Sequence, residues 1–247
     1  MKTIGVIPAR YASTRFPAKV LAAINGMPMI EHVWRRCRQC RQLDDVLIAC
    51  DDARVLNAAN TFGAKAVMTD PAHPSGSDRI AQAVKDLDVD IVVNIQGDEP
   101  FIDPATVDSL VSALKNDAAC QMGTVVQEIM DERDFTNPNV VKCVLDTDGY
   151  ALYFSRAPIP YNRNAQKPTG LKLYKHLGLY AYRRAFLLQF TSWPKSVLEN
   201  TEQLEQLRAL EHGVRIKTVL TKAESVAVDT PDDLHIAEEF LRIKGTH

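Results

Sequence analysis

The first half of this chain alternates short apolar runs with helical stretches, and no other feature restricts the fold as strongly. The runs cover residues 4–8, 46–50, 64–68 and 91–95, each rich in Val, Ile or Ala and bounded by polar or turn residues. Continuous apolar runs of this length are typical of strands buried on both faces. Between the first two, Pro28 suits a first helical position. Met29, Ile30, Val33, Trp34 and Cys37 then recur with helical spacing. Residues 53–62, closed by Gly63, and residues 78–87 predict two more helices. The expectation is an α/β fold, with an open, mostly parallel sheet and helices on both faces. Ligands of such sheets bind beyond the carboxyl ends of the strands.

The second half is less regular. Residues 140–145, 151–154, 177–182 and 216–220 read as strands and residues 198–211 as a helix. Pro158, Pro160 and Pro168 interrupt any regular element between them. Thr230, Pro231, Asp232 and Asp233 open a final helix with a cap, a proline at the first position and early carboxylates. No repeat, low-complexity tract or linker is evident, so residues 1–247 read as one domain with an inserted arm at about 150–182.

Charge narrows the possible partners. Lys and Arg number 29 against 31 Asp and Glu, a net charge of −2. That balance does not suit a chain that coats nucleic acid or an anionic membrane. No apolar run approaches the roughly 18 residues of a membrane span. The N-terminus meets Arg10 too soon for a signal-peptide core, so a cytoplasmic location is expected. The five cysteines are scattered, and Cys37 and Cys40 form a lone pair inside a helical pattern. Zinc sites need more ligands than that, so reduced, partly buried thiols are expected.

The chemistry concentrates at strand ends. The first strand runs into PARYASTRFPAK, where Arg10, Arg15 and Lys19 have no acidic residue near them in sequence before Glu31. Three cations with Ser13 and Thr14 at such a place predict a phosphate cradle. The loop is neither GxxxxGK[ST] nor GxGxxG, which argues against a Walker site and against NAD. The fourth strand ends in NIQGDEP and delivers Asp98, while Asp103 serves the next helix as its cap. Asp229 follows the strand-like residues 226–228 and is surplus to the final helix cap. Two carboxylates from separate strand ends could share a hard cation such as Mg²⁺, completed by phosphate oxygens.

The runs PARYASTRFPAK, INGMPMIEHV, SGSDR, NIQGDEP, YALYFSRAPIP, KHLGLYAYRR, LEQLRALE and VDTPDDL occur in this order over nearly the whole chain. Together they resemble the 3-deoxy-manno-octulosonate (Kdo) cytidylyltransferases, also called CMP-Kdo synthetases. The resemblance implies a Rossmann-like nucleotidyltransferase fold that takes CTP and Kdo to CMP-Kdo and diphosphate with Mg²⁺, for lipopolysaccharide biosynthesis. It implies nucleotide binding by Arg10, Ser13, Arg15, Lys19, Ser75, Ser77 and Arg79. It implies sugar-acid binding by Gln96, Arg156, His176, Tyr180, Glu205 and Gln206. Asp98 and Asp229 match metal-binding carboxylates and, with Lys19, the catalytic set. Ala18 and Ser77 depart from the usual Gly and Thr. The resemblance also implies a homodimer through the arm, where six of the seven tyrosines lie; a second hydrophobic layer within one subunit is the alternative. A cytidylyltransferase for 8-amino-Kdo or another acidic sugar would need only a different sugar pocket. A nucleotide-binding regulator that has lost catalysis is the rival of another class, and the retained carboxylates and cations argue against it.

Overall fold

The structure is a computed structural model that describes residues 1–12, 16–163, 170–224 and 226–244. In chain order the elements are β1 (Thr3–Ala9), β2 (Ala23–Ile24), β3 (Met27–Pro28), α1 (Met29–Cys37), β4 (Asp45–Cys50), α2 (Ala53–Thr61) and β5 (Lys65–Met68). Then come α3 (Gly76–Val84), β6 (Ile91–Asn94), α4 (Pro104–Asn116), β7 (Met122–Glu128), α5 (Glu132–Thr136), β8 (Lys142–Leu145) and β9 (Ala151–Ser155). The chain closes with β10 (Tyr174–Arg183), α6 (Arg184–Ser192), α7 (Val197–Glu202), α8 (Gln206–Glu211), β11 (Ile216–Thr221) and α9 (Pro231–Lys244).

Among the described residues nine strands share one sheet, whose main path runs β11-β7-β10-β6-β1-β4-β5. The β1, β4, β5 and β6 strands pair in parallel, and β11 pairs in parallel with β7. The exception on this path is β10, antiparallel to both β6 and β7. Strand β8 pairs with the start of β10, and β9 pairs with β8.

Alternation along β1 explains the two layers. Ile7 and Ala9 join one core with Val33 of α1, Val55 of α2 and Leu110 of α4. Ile4 and Val6 join the opposite core with Ile80 of α3 and Phe186 and Phe190 of α6. Each fully buried Ile or Phe of this kind contributes about 1.5–3 kcal/mol. Helices therefore cover both faces, as the alternation predicts.

Two expectations need correction. The helix expected over 198–211 is broken into α7 and α8, with Gln203 between them at φ 54°. Residues 226–228 form no strand; the Val228 N–H donates instead to the Asp98 carbonyl at 3.0 Å. That bond carries the final segment over the end of β6. All five cysteines are buried free thiols.

From β1 the chain winds outward through β4 and β5, then returns to place β6 on the other side of β1. The carboxyl ends of β1 and β6 flank this reversal, where a sheet of this type opens a ligand crevice.

Candidate active site

The loop leaving β1 is closed by an Ala18 N–H bond to the Tyr11 carbonyl at 3.0 Å. Ala18 sits at φ 57°, ψ 23°. That left-handed conformation is easier for Gly than for Ala, which fits the Gly usual at this position and leaves Ala18 a strained substitute. The turn feeds Lys19 into the crevice. On the neighbouring strand, Gly97 lies against β1 so closely that a Cβ would stand 3.1 Å from the Pro8 carbonyl. This close approach brings Asp98 over the end of β1.

Lys19 Nζ donates to Asp98 Oδ2 at 2.7 Å and to Asp229 Oδ1 at 3.1 Å. Lys19 was expected to have no local acidic partner, and in the fold it has two remote ones. Burial acts to lower its pKa, but the charges and hydrogen bonds of the two carboxylates outweigh it, and the net shift is upward. Asp229 is turned to this use because Asp233 serves the helix end: its Oδ2 accepts from the N–H groups of Asp229 and Thr230 at 2.9 and 2.8 Å. Arg10 reaches the other way and donates to the His73 carbonyl at 2.9 Å. Ser13 and Arg15, the other cradle residues, lie outside the described residues.

A second cluster forms at the start of α3. Ser75 caps the helix, accepting from the Asp78 N–H at 3.2 Å. Ser75 Oγ lies 2.9 Å from Glu205 Oε1, and Ser77 Oγ donates to Glu205 Oε2 at 2.6 Å. Residues expected on the nucleotide side and on the sugar side are thus bonded to each other. Burial pushes the Glu205 carboxyl upward, and the Ser77 and Ser75 bonds and the Arg208 charge offset only part of that. Arg79 does not face the crevice. It is fully buried, donating to Asp51 Oδ2 at 3.0 Å and to Thr69 Oγ1 at 2.5 Å. Asp51 Oδ1 accepts from the Tyr11 N–H at 2.9 Å, so Arg79 supports the β1 loop from beneath. Asp51 has no local sequence signal and was not anticipated.

The third cluster lies on β10. Tyr180 stands opposite Asn94 of β6 and Thr124 of β7, and its hydroxyl donates to Gln206 Oε1 at 3.1 Å. Gln206 Nε2 is buried without a hydrogen-bond partner among the described residues. Gln96 Nε2 donates to Asn94 Oδ1 at 3.0 Å. Thr124 Oγ1 donates to the Leu179 carbonyl at 2.9 Å, so His176 Nε2, also 2.9 Å away, acts as donor to that oxygen. Nδ1 is then the acceptor of the ring. Burial lowers the His176 pKa to about 3. The imidazole is therefore neutral at neutral pH. Arg156 stands apart from these groups, bonded to the carbonyls of Glu202 and Pro138 at 2.8 and 3.0 Å.

The donor set suits a hard cation. Two carboxylates already converge on a positive charge, the Lys19 ammonium. No third His, Cys, Asp or Glu joins them among the described residues. Mg²⁺ commonly takes one or two carboxylates and completes its shell with water and phosphate oxygens.

Known proteins resemble this chain in sequence and in fold. A cytidylyltransferase family model matches residues 4–216. The 3-deoxy-manno-octulosonate cytidylyltransferase of Geotalea daltonii is 49% identical over 99% of this chain and 100% of its own. The chain belongs to the 3-deoxy-manno-octulosonate cytidylyltransferase family. The member from Geobacter sulfurreducens is 47% identical, over 98% of this chain and 100% of its own. A solved CMP:2-keto-3-deoxy-manno-octonic acid synthetase, complexed with CTP, superposes with a TM-score of 0.94 at 41% identity, covering 99% of this chain and 100% of that one. The mostly parallel sheet of the family is thus the sheet found here. Tyr182 is buried and stacks near Tyr180, and Tyr153, Tyr174 and Tyr180 pack on the core of that face. Tyr161, by contrast, is 86% exposed. Most of the tyrosine cluster is therefore a hydrophobic layer within the subunit.

Proposed function

We propose that this chain transfers CMP from CTP to the anomeric hydroxyl of Kdo, releasing diphosphate. The observation that carries the reading is the convergence of Asp98 and Asp229 on Lys19, at the strand ends where the sheet reverses. Arg10, Ser13, Arg15 and Lys19 bind the triphosphate, with forked and point-charge donors for its oxygens. Ser75 and Ser77 border the nucleotide, while Arg79 acts through Asp51 on the loop. Gln96, His176, Tyr180, Glu205 and Gln206 receive the sugar acid, and Arg156 pairs with its carboxylate only if it leaves the Glu202 and Pro138 carbonyls that hold it apart from them. The orphaned amide of Gln206 is a donor that a sugar oxygen would satisfy.

The hydroxyl attacks the α-phosphorus as the bond to diphosphate breaks. Catalysis is alignment and charge stabilisation rather than covalent chemistry. Asp98 and Asp229 are the residues that would hold Mg²⁺, which when bound supplies Lewis-acid stabilisation of charge on the reacting oxygens. Neutral His176 takes the part of a hydrogen-bond acceptor for a sugar hydroxyl.

The whole chain serves as one nucleotidyltransferase unit. No helix among the described residues is long and apolar enough to cross a membrane. We place the enzyme in the cytoplasm, where CTP is available and five free thiols stay reduced. We further propose a homodimer through the exposed part of the arm, where Leu152 and Tyr161 are 59% and 86% exposed. Light scattering should then report about twice 27.5 kDa; a fully active monomer would contradict it. The reaction itself is tested by phosphorus NMR of a mixture of enzyme, CTP, Kdo and Mg²⁺. A new CMP diester signal growing in step with diphosphate is expected; CTP that stays intact overturns the reading.

A further inference from the structure

Glu205 is the point where the α3 cluster meets the β10 side of the crevice, where burial and a neighbouring carboxylate oppose its negative charge. Ser75 Oγ lies 2.9 Å from Glu205 Oε1 and also 2.6 Å from Asp78 Oδ2. A hydroxyl has one proton to give, so the two carboxylates compete for it. Asp78 adds a like charge from α3, while the neutral phenols of Tyr180 and Tyr182 on β10 lie within electrostatic range of Glu205 and oppose nothing. From α8, one cation opposes these effects: Arg208 Nη2 is 3.8 Å from Glu205 Oε1.

Arg208 is 4% exposed and held from several directions. Its Nε and Nη2 fork onto Glu199 at 2.7 and 2.5 Å, and its Nη1 donates to the carbonyls of Phe190 and Trp193 at 3.4 and 3.3 Å. Glu199 is in turn locked into the Ser196 capping box at the start of α7. The guanidinium thus joins α6, α7 and α8, and it lines one pocket with Ser75, Asp78 and Glu205. Its nearest partner that borders the crevice is Glu205.

We infer that Arg208 is a positioning residue for the sugar half of the site, holding Glu205 as an anion against Ser75 and Ser77. The inference rests on the reading that Glu205 serves the sugar acid. An Arg suits this task better than a Lys, because a planar fork fixes Glu199 while leaving one edge toward Glu205. The same carboxylate receives serines from the nucleotide side, so losing its charge or its aim should weaken sugar use first.

The test compares Arg208→Gln, Arg208→Lys and Glu205→Ala, each checked for folding by circular dichroism, with CTP and Kdo varied separately across pH. Arg208→Gln should raise KM for Kdo about tenfold while KM for CTP changes by less than about twofold. The acid limb of kcat/KM for Kdo should move upward by about half a pH unit or more, since the neutral carboxyl persists further. Arg208→Lys should return the limb toward its parent position, because the charge is kept, without restoring KM fully. An unmoved acid limb in folded Arg208→Gln, or the two KM values rising in step, overturns the inference. If Arg208→Gln does not fold, the KM split in Arg208→Lys decides. Glu205→Ala with an unchanged KM for Kdo overturns the reading of Glu205 itself. Impaired Glu205→Ala beside unaffected Arg208 variants overturns only the role of Arg208.

Discussion

Lys19 and Asp98 meet at 2.7 Å although they leave different strands of the sheet. Their contact exists because β1 and β6 are parallel neighbours and because Gly97 lets the second strand end close against the first. Asp229 completes the group from the loop before α9. A cation held by two carboxylates shows that this corner is shaped for positive charge, and a nucleotide brings the negative charge that would draw Lys19 toward it.

Replacing either carboxylate should therefore stop the chemistry without unfolding the chain. Asp98→Asn and Asp229→Asn remain polar and similar in volume, and both positions are partly exposed. Loss of charge stabilisation at the reacting phosphate should lower kcat by about a thousandfold, several kcal/mol. Each variant should also lose the dependence of its CTP affinity on Mg²⁺, read by calorimetric titration. A rate within a few-fold of the parent in either variant would remove that carboxylate from the site.

Gly97→Ala tests the close approach. The added methyl would stand 3.1 Å from the Pro8 carbonyl and 3.6 Å from side-chain carbons of Ile7 and Val20. Backbone cannot yield as a flexible side chain would, so the loop carrying Asp98 must shift. A displacement of this kind should reduce kcat by about tenfold to a hundredfold. Stability should fall by only about 1–2 kcal/mol. A variant with full activity would show that the approach of β6 to β1 does not set the position of Asp98.

His176 should make the fold sensitive to mild acid. Its pKa falls from an ordinary 6.5 to about 3 on burial beside Phe154 and Tyr180. Below the ordinary value the unfolded chain binds a proton that the folded chain refuses. Stability is then lost as pH falls from about 6.5 toward 3, at up to roughly 1.4 kcal/mol per pH unit from this group. Urea unfolding at pH 7 and at pH 5 should differ by up to about 2 kcal/mol more in the parent than in His176→Gln. Equal losses in both would assign the acid sensitivity elsewhere.

The central strands were legible because apolar runs at β1, β4 and β6 are buried on both faces and read directly as such. Asp98 and Lys19 were legible as charges beyond strand ends that no local cap consumes, and Asp229 as a carboxylate surplus to the α9 cap, although the strand expected before it does not form. The α7–α8 break was not legible. Gln203 adopts a left-handed conformation without being Gly or Asn, and Glu199 and Arg208 pair across the break. Residues 226–228 looked like a strand, but among the described residues their one backbone bond to another segment runs from the Val228 N–H to the Asp98 carbonyl, beyond the end of β6. Asp51, Thr124 and Glu199 escaped notice for the same reason: each acts on a partner from another element, which no local pattern reveals.

The substrate class is the central claim. The most direct measurement is diphosphate release from CTP with Kdo, 8-amino-Kdo, a sialic acid or glucose 1-phosphate as acceptor, each taken to kcat/KM. A pocket whose buried groups must pair with particular hydroxyls rejects acceptors that leave them unpaired, by about a hundredfold or more. Kdo should therefore lead, with glucose 1-phosphate giving no release above background. Preference for 8-amino-Kdo would keep the reaction and change the acceptor; release driven by glucose 1-phosphate in preference to every sugar acid would contradict the account.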